Sequence, residues 1–344
     1  MPRYPRPVSL EIDHVTKRYG TTTALDGLTF EVARGEVFGF LGAIGAGKTT
    51  TMRICLGIIA ADAGEIRWDG RPTGELPRRT WGYLPEERGL YPRMGVLDQL
   101  VYFASLYGEP PDRARREALA WLTRFRILDY AGRRAEELSK GNQQKVQFIA
   151  AVLHDPEVLL MDEPFTGLDP INLVLLREAF TELRDRGRTL IFSTHQMESA
   201  EAMCESIAIV DQGRLVAGGR VRDLKRASGR RTVRLAVDGE AAEGHAGLGD
   251  AAPGEAAPDW FAVLPGVQAV RMDAAGAELE LLPGADPATI LSAVLARGGT
   301  LTRFEVAEPS LEALFIEYVG RPADDETSLA PASVGPSVAA EGVA

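Results

Sequence analysis

The sequence has few cysteines and histidines and no long apolar run. Its 344 residues include four histidines and two cysteines, Cys55 and Cys204, which stand in apolar surroundings without a Cys-x-x-Cys or Cys/His spacing. We therefore expect neither a disulfide nor a zinc site, and a reducing cytoplasm is the simplest compartment. No stretch reaches the roughly 18 consecutive apolar residues of a membrane-spanning helix. No apolar run follows the charged N-terminus, so a signal peptide is not expected either.

The chain also lacks an excess of basic residues. Its formal net charge is −11, and residues 240–344 carry 17 acidic and 4 basic side chains, which leaves residues 1–239 at +2. This uneven distribution indicates two modules. It also argues against a nucleic-acid partner, because such binding needs a basic face that displaces phosphate counterions.

The first two thirds of the chain have the pattern of an α/β unit with insertions. Two alternating runs, 9–15 and 27–33, predict strands of an antiparallel sheet. Three continuous apolar runs, each followed by a helical pattern, predict buried strands of a mostly parallel sheet. They cover 36–41, 157–161 and 189–193. Residues 96–154 have helical patterns without a strand signal, which predicts an inserted helical subdomain.

A hairpin predicted at 206–219 is followed by a basic stretch. Seven basic residues occur there: Arg220, Arg222, Lys225, Arg226, Arg230, Arg231 and Arg234. A solvated linker helix is the interpretation that we favour, and a contact to lipid or phosphate is the alternative.

The C-terminal part has the pattern of a small α+β module. Its predicted order is βαββαβ, which is typical of a ferredoxin-like sandwich. The strands are expected at 232–237, 267–272, 277–282 and 300–306, and the helices near 260 and at 287–297. A flexible insert is expected at 238–259 and a disordered tail at 321–344.

A last helix carries an apolar stripe at helical spacing. The stripe consists of Leu311, Leu314, Phe315 and Tyr318. We expect this helix to lie in the core of the small module rather than at a partner surface.

A phosphate-binding loop follows the strand at 36–41. The segment Gly42-Ala-Ile-Gly-Ala-Gly-Lys-Thr49 matches G-x-x-x-x-G-K-[ST] between a predicted strand and a predicted helix. Glycines let backbone N–H groups curl round a phosphate, and the helix N-terminus adds the positive end of its dipole. Lys48 is expected to reach the β- and γ-phosphate oxygens, and the Thr49 hydroxyl to ligate Mg²⁺. The flanking strand and helix argue against the alternative, a chance glycine turn.

Two adjacent carboxylates end the strand at 157–161. Asp162 and Glu163 would be costly at this buried position unless they were paired or used. We expect Asp162 to hold the Mg²⁺ shell and Glu163 to orient and deprotonate the attacking water.

The order of these motifs resembles the ATP-binding cassette (ABC) ATPases over about residues 8–225. The matching segments are Tyr83-Leu-Pro-Glu86 (Q-loop), Leu138-Ser-Lys-Gly-Asn142 (signature), Gly167-Leu-Asp169 (D-loop) and His195 (switch histidine). Details at 82–91, 138–145 and 308–312 are similar to the sodium-exporter-like branch of ABC-2 type transport ATPases. That branch also has a small C-terminal domain.

The resemblance implies the fold and the extents of the domains. The expected fold is a P-loop NTPase α/β core with an antiparallel β subdomain and an inserted helical subdomain, followed by the small ferredoxin-like domain. The expected domains are a nucleotide-binding domain at 1–229 and a C-terminal accessory domain at 230–320.

The resemblance also implies the residues of the site. ATP would be bound by Tyr19, which stacks on adenine, by Gly42, Ala43, Ile44, Gly45, Ala46, Gly47, Lys48, Thr49 and Thr50, and by Ser139 and Gly141 of the signature. Mg²⁺ would be held by Thr49, Glu86 and Asp162, and catalysis would use Glu163, His195 and Glu86. By itself His195 could be a structural histidine, and Tyr19 an aromatic residue that covers core.

The sequence departs from the family pattern in the phosphate loop, the Q-loop and the signature. Ala43 and Ile44 replace Pro and Asn, but binding through backbone N–H groups should survive, and a contact across a dimer is lost. Glu86 replaces Gln and can still offer oxygen to Mg²⁺. Lys140 and Asn142 replace Gly and Gln. An active but slow ATPase is expected.

The implied function is that of the ATP-hydrolysing motor of an ABC-2 type exporter. Its partners would be a separate membrane-spanning permease and a second copy of itself or a homologous cassette, at the inner face of the cell membrane. A soluble ABC-type ATPase that acts on ribosomes or DNA is the alternative, although this chain has one cassette and no long coiled-coil insertion. A non-hydrolysing regulatory module is disfavoured, because Lys48, Asp162, Glu163 and His195 are all present.

Overall fold

The computed structural model describes residues 8–87, 89–229, 231–238, 259–273, 276–282, 284–296 and 300–320. Residues 239–258 of the expected insert and the expected tail at 321–344 lie outside the described residues. The strands are β1 (Val8–Tyr19), β2 (Thr22–Ala33), β3 (Val37–Leu41), β4 (Ala63–Trp68), β5 (Arg71–Pro72), β6 (Trp81–Leu84), β7 (Val158–Asp162), β8 (Thr189–Thr194), β9 (Ser206–Asp211), β10 (Arg214–Arg220), β11 (Thr232–Asp238), β12 (Val267–Asp273), β13 (Gly276–Leu281) and β14 (Thr300–Ala307).

The helices are also numbered in chain order. They are α1 (Lys48–Cys55), α2 (Val96–Leu106), α3 (Pro111–Arg124), α4 (Lys140–Val152), α5 (Pro170–Asp185), α6 (Met197–Met203), α7 (Val221–Ala227), α8 (Asp259–Ala262), α9 (Pro287–Leu295) and α10 (Leu311–Val319).

A six-stranded sheet forms the centre of the larger unit. Its order is β10-β9-β3-β8-β7-β6, and every pair is parallel except β10 with β9. Every residue of β3, β7 and β8 is buried, as the uninterrupted apolar runs predict. Because β3 and β7 both pair in parallel with β8, the loops that follow these three strands meet at one edge of the sheet. That edge carries the phosphate loop, the carboxylate pair and the switch histidine.

A four-stranded antiparallel sheet covers one face of the central sheet. Its order is β2-β1-β4-β5, and β1 with β2 are the two strands that the alternating pattern predicts. One apolar cluster fills the space between the two sheets and includes Phe30, Phe38 and Phe40.

The helical subdomain lies between β6 and β7 in the chain and packs on the opposite side of the central sheet. Its helices α2, α3 and α4 contribute Leu100, Trp121 and Phe148 to a second apolar cluster. This confirms the insertion that the sequence predicts for 96–154.

The C-terminal unit is a ferredoxin-like sandwich. Its sheet has the order β12-β13-β11-β14, with antiparallel pairs throughout. Helices α8 and α9 cover one face, where Phe261, Ile290 and Val294 are buried in a third cluster.

The last helix packs differently from the expectation. Leu311 belongs to the cluster of the larger unit, and Phe315 and Tyr318 pack against that cluster rather than in the core of the small sandwich. Helix α10 contacts α6, α7 and β10. The prediction of an apolar stripe is confirmed. Its periodicity, however, does not tell whether the helix packs on the core of the cassette or on that of the small sandwich.

Three described residues of the basic stretch are paired with carboxylates from other parts of the chain. Lys225 contacts Glu201, Arg226 contacts Glu308 and Arg234 contacts Glu278. These pairs support the linker interpretation over a lipid contact, because the paired cations already have anionic partners.

Candidate functional site

The phosphate loop depends on glycine at two positions. Gly47 has φ 104°, and a Cβ there would lie 2.6 Å from the carbonyl oxygen of Ala24. A Cβ on Gly42 would lie 2.4 Å from the carbonyl oxygen of Val210. The close approach of neighbouring strands therefore excludes a side chain at these two positions, where the loop presents only backbone to its ligand. Ile44 points into solvent with 93% of its surface exposed.

Lys48 begins α1 with its ammonium group inside the loop. Nζ donates to the carbonyl oxygens of Gly42 (2.8 Å) and Ala43 (2.9 Å). Burial lowers the pKa of Lys48, while the nearby carboxylates of Glu163, Asp162 and Glu86 oppose this shift. The cation therefore lies at the meeting point of the catalytic and metal-binding carboxylates that the sequence predicts.

Asp162 and Thr49 form an oxygen-rich corner beside the loop. The Thr49 hydroxyl donates to Asp162 Oδ2 at 2.6 Å, and the Ser193 hydroxyl donates to Asp162 Oδ1. Asp162 is almost completely buried, and these two donors supply hydrogen bonds that water cannot supply there. Carboxylate and hydroxyl oxygens suit Mg²⁺, which is usually bound by one or two carboxylates together with substrate phosphates. In the part of the chain that the structure describes, no group of three or more histidine, cysteine, aspartate or glutamate side chains could hold a metal ion.

Glu163 is held in one orientation by β8 and the residue after it. Its N–H donates to the carbonyl oxygen and the hydroxyl of Ser193, at 3.2 Å each. Oε1 accepts from the His195 N–H at 3.0 Å and lies 2.8 Å from His195 Nδ1, and Oε2 accepts from the Thr194 hydroxyl at 3.3 Å. Glu163 has φ 49°, which is uncommon for a residue with a side chain and is often found at functional sites.

The Q-loop is anchored to the helical subdomain. Gln147 of α4 donates through Nε2 to the carbonyl oxygens of Pro85 (3.0 Å) and Glu87 (3.1 Å). Glu86 itself is exposed, and its charge acts on Lys48. The backbone on both sides of Glu86 is therefore held by the helical subdomain.

The signature lies beside the D-loop of the same chain. Ser139 caps α4, because its Oγ accepts from the Asn142 N–H at 3.3 Å. A Cβ on Gly141 would lie 3.4 Å from the carbonyl oxygen of Gly167. Lys140 is exposed to solvent.

The described structure brings only part of the predicted site together. Lys48, Thr49, Asp162, Glu163 and His195 meet at the sheet edge. In the described part of the chain, Tyr19, Ser139 and Gly141 make no hydrogen bond or ring contact to the phosphate loop. Tyr19 is half exposed, with Lys17 Nζ 5.5 Å from its ring centre.

Sequence reasoning missed the residues that support the carboxylates. Ser193 and Thr194 donate to Asp162 and Glu163, and Gln147 holds the Q-loop. The sequence did contain a signal for two of them, because Ser193 and Thr194 are polar residues at the end of the buried strand β8. Parallel strands end at the same edge of a sheet, so these hydroxyls could have been expected near the carboxylates that follow β7.

Comparisons with known proteins agree with this geometry. Residues 25–166 match the family described as ABC transporter, and residues 219–319 match the C-terminal domain described for ATP-binding proteins like DrrA1-3. YhaQ of Bacillus subtilis strain 168, an uncharacterized ABC transporter ATP-binding protein, is 44% identical over 311 residues, which make up 90% of this chain and 98% of YhaQ. The chain belongs to the ABC transporter ATP-binding proteins. It is an ATPase of that family, and its cassette domain binds ATP.

Other relatives and a solved structure share this cassette. The linearmycin resistance ATP-binding protein LnrL of Bacillus subtilis is 31% identical over 91% of this chain and 98% of LnrL. The Nod factor export ATP-binding protein I of Paraburkholderia xenovorans is 41% identical over 61% of this chain and 70% of that protein. A solved ATP-binding subunit of an ABC transporter superimposes with a TM-score of 0.60 at 32% identity, covering 64% of this chain and 93% of that one. Among the described residues of this ABC ATPase, no helix is long and apolar enough to cross a membrane.

Proposed function

We propose that this chain is the ATP-hydrolysing motor subunit of an ABC-2 type exporter, and that it acts on a separate membrane-spanning permease at the cytoplasmic face of the cell membrane. Two relatives, a Nod factor export protein and a linearmycin resistance protein, support an export role by their names. The match of residues 219–319 to an ATP-binding protein's C-terminal domain agrees with it.

The contact between Glu163 and His195 carries the mechanistic part of the proposal. Glu163 Oε1 lies 2.8 Å from His195 Nδ1, at the sheet edge where Lys48 enters the phosphate loop. In this arrangement Glu163 orients the attacking water and takes its proton. His195 orients the Glu163 carboxylate and stabilises charge on the terminal phosphate. Lys48 replaces its two carbonyl partners with β- and γ-phosphate oxygens when ATP binds.

The metal site of the proposal uses Thr49, Asp162 and Glu86. When bound, Mg²⁺ would neutralise charge on the β- and γ-phosphate oxygens. The hydroxyl of Thr49 and the carboxylate of Asp162 are already in contact, and the charge of Glu86 in the Q-loop acts on the neighbouring Lys48. The exposed position of Glu86 lets it move toward or away from this cluster with the helical subdomain.

We propose that the complete site contains two chains. Tyr19 would stack on the adenine, and Gly42 to Thr50 would hold the phosphates on one chain. Ser139 and Gly141 of a second copy, or of a homologous cassette, would close over the same nucleotide. In support, the signature contacts the D-loop within the chain and makes no hydrogen bond to its own phosphate loop among the described residues.

The proposed permease contact lies around the Q-loop and the start of the helical subdomain, at residues 86–97. Tyr91 of this segment packs with Tyr102 and Phe103 of α2, and the ring centres are 5.7 to 6.0 Å apart. Tyr91 and Tyr102 remain substantially exposed. Exposed aromatic clusters are typical of protein interfaces. At the start of this segment, Gln147 of α4 holds the backbone on both sides of Glu86.

The domain division is also part of the proposal. We place the nucleotide-binding domain at 1–229 and the accessory domain at 230–320, with α10 returning from the accessory domain to the core of the cassette. The acidic accessory domain supports a protein partner over a nucleic acid.

The substitution Glu163→Gln tests the catalytic assignment. It should leave ATP affinity within about twofold, because Lys48 and the loop amides are unchanged, and lower turnover by about 10²- to 10⁴-fold, as removal of a general base does. ATP binding and phosphate release measured on the same preparation separate the two effects. The matched control is Glu178→Gln on the exposed face of α5, which should behave as wild type. Wild-type turnover in Glu163→Gln would refute the assignment.

A further inference from the structure

Helix α6 follows directly on the switch histidine and is too short to be stable alone. It spans seven residues, Met197–Met203, and begins just after His195. Helices of this length depend on packing for their stability and orientation. The Gln196 N–H donates to the Thr194 hydroxyl, which itself donates to Glu163. The orientation of α6 is therefore linked to the His195–Glu163 contact.

Glu201 on α6 joins two other elements through its two carboxylate oxygens. Oε1 accepts from Lys225 Nζ of α7 at 2.5 Å, and Oε2 accepts from the Leu311 N–H at the first residue of α10 at 2.7 Å. A carboxylate at a helix N-terminus is favoured by the helix dipole and satisfies an otherwise unpaired N–H. Glu201 therefore connects α6 to α7, which precedes the accessory domain, and to α10, which ends it.

Helix α10 packs on the cassette with one side and faces the ferredoxin-like sheet with the other. Leu311 is fully buried in the cassette cluster, and Ser310 caps the helix by accepting from the Ala313 N–H. On its other side, α10 and the ferredoxin-like sheet enclose a cavity of about 140 Å³, lined by Thr232, Glu278, Ala313 and Ile316 among others. Helix α10 thus lies between α6 and the sheet of the small domain.

We propose that Glu201 is a positioning residue for ATP hydrolysis. It clamps α6 between α7 and α10, and so holds His195 against Glu163. This inference rests on the proposed role of His195. In this proposal the accessory domain is linked to the catalytic carboxylate of Glu163 through contacts of Leu311 with Glu201 and of α6 with the His195 segment.

The substitution Glu201→Ala tests the clamp in the full-length chain. We expect turnover to fall by about 2- to 30-fold, the range found for residues that couple distant sites, with ATP affinity unchanged. Glu201→Gln keeps an acceptor for the Leu311 N–H and should recover part of the turnover.

Glu198→Ala, on the exposed part of the same helix, is the matched control and should turn over as wild type. Lys225→Met should lower turnover in the same direction and provides a second variant if Glu201→Ala folds poorly.

A double substitution separates positioning from a general structural effect. In a His195→Ala background, Glu201→Ala should cause no further loss of turnover, because the group that it positions is gone. Equal losses in both backgrounds, or a loss of ATP affinity that matches the loss of turnover, would overturn the proposal. So would turnover of Glu201→Ala and Lys225→Met equal to that of Glu198→Ala. Wild-type turnover of His195→Ala alone would instead refute the proposed function of the histidine.

Discussion

At the scale of single residues, strand pairing decides which side chains meet. Glu163 and His195 are far apart in the sequence, and β7 pairs with β8 so that Asp162 lies opposite Ser193. This register places each residue after β7 beside the residues that end β8. The motifs predicted the identities of Lys48, Asp162 and Glu163, because their chemistry requires those residue types. They did not predict the supporting hydroxyls of Ser193 and Thr194, whose roles depend on the register of the two strands.

Two substitutions in the phosphate loop should have opposite outcomes. Gly47→Ala should abolish ATP binding, because its Cβ would meet the Ala24 carbonyl at 2.6 Å in a left-handed backbone conformation. Ile44→Asn should leave the ATP affinity of the single chain within about twofold, since the side chain points away from the loop and phosphate is bound by N–H groups. Titration of both variants with a fluorescent ATP analogue measures the difference. Equal losses in the two variants would show that the side chain of Ile44 takes part in binding.

At the scale of elements, patterns in the sequence predict whether a segment is a helix or a strand better than they predict what it packs against. The buried strands, the hairpin at 206–219 and the βαββαβ order of the C-terminal unit could be read from apolar patterns, because each strand buries its side chains in a regular way. Strands β4, β5 and β6 were missed. β5 and β6 span only two and four residues, which offer too little pattern. Helix α10 was recognised as amphipathic, but its apolar stripe fits either core equally well. Its docking on α6 follows from three-dimensional packing.

Matched substitutions test the assignment of α10 to the cassette. Leu311→Ala should lower the free energy of unfolding of the ATP-binding unit by about 2–5 kcal/mol, as other large-to-small core substitutions do. Ile290→Ala, which is equally buried but lies in the core of the small sandwich, should leave that unit unchanged. The measurement is the urea concentration at which ATP binding is lost. A larger shift in Ile290→Ala than in Leu311→Ala would place α10 with the small domain.

At the scale of the whole molecule, the chain presents half of each proposed catalytic site. The phosphate loop and the carboxylates lie at the edge of the central sheet, whereas Ser139 and Gly141 lie beside the D-loop. An isolated chain should therefore bind ATP and hydrolyse it poorly. The charge is distributed by domain as well, with the acidic side chains concentrated after residue 240. This arrangement fits a motor whose activity depends on assembly with a second cassette and a permease.

Mixing two inactive variants tests the two-chain site most directly. In the proposed site, the phosphate loop and the signature belong to different chains. Ser139→Arg should therefore bind ATP without turning it over, whereas Lys48→Ala should bind ATP weakly and also fail to turn it over. A mixed dimer contains one site that combines an intact Lys48 with an intact Ser139, so turnover should return when the variants are combined. The specific activity of the wild type should also rise with protein concentration through the range where sedimentation detects dimers. Turnover that stays absent in every mixture, together with a specific activity that stays constant where only single chains are present, would contradict the account.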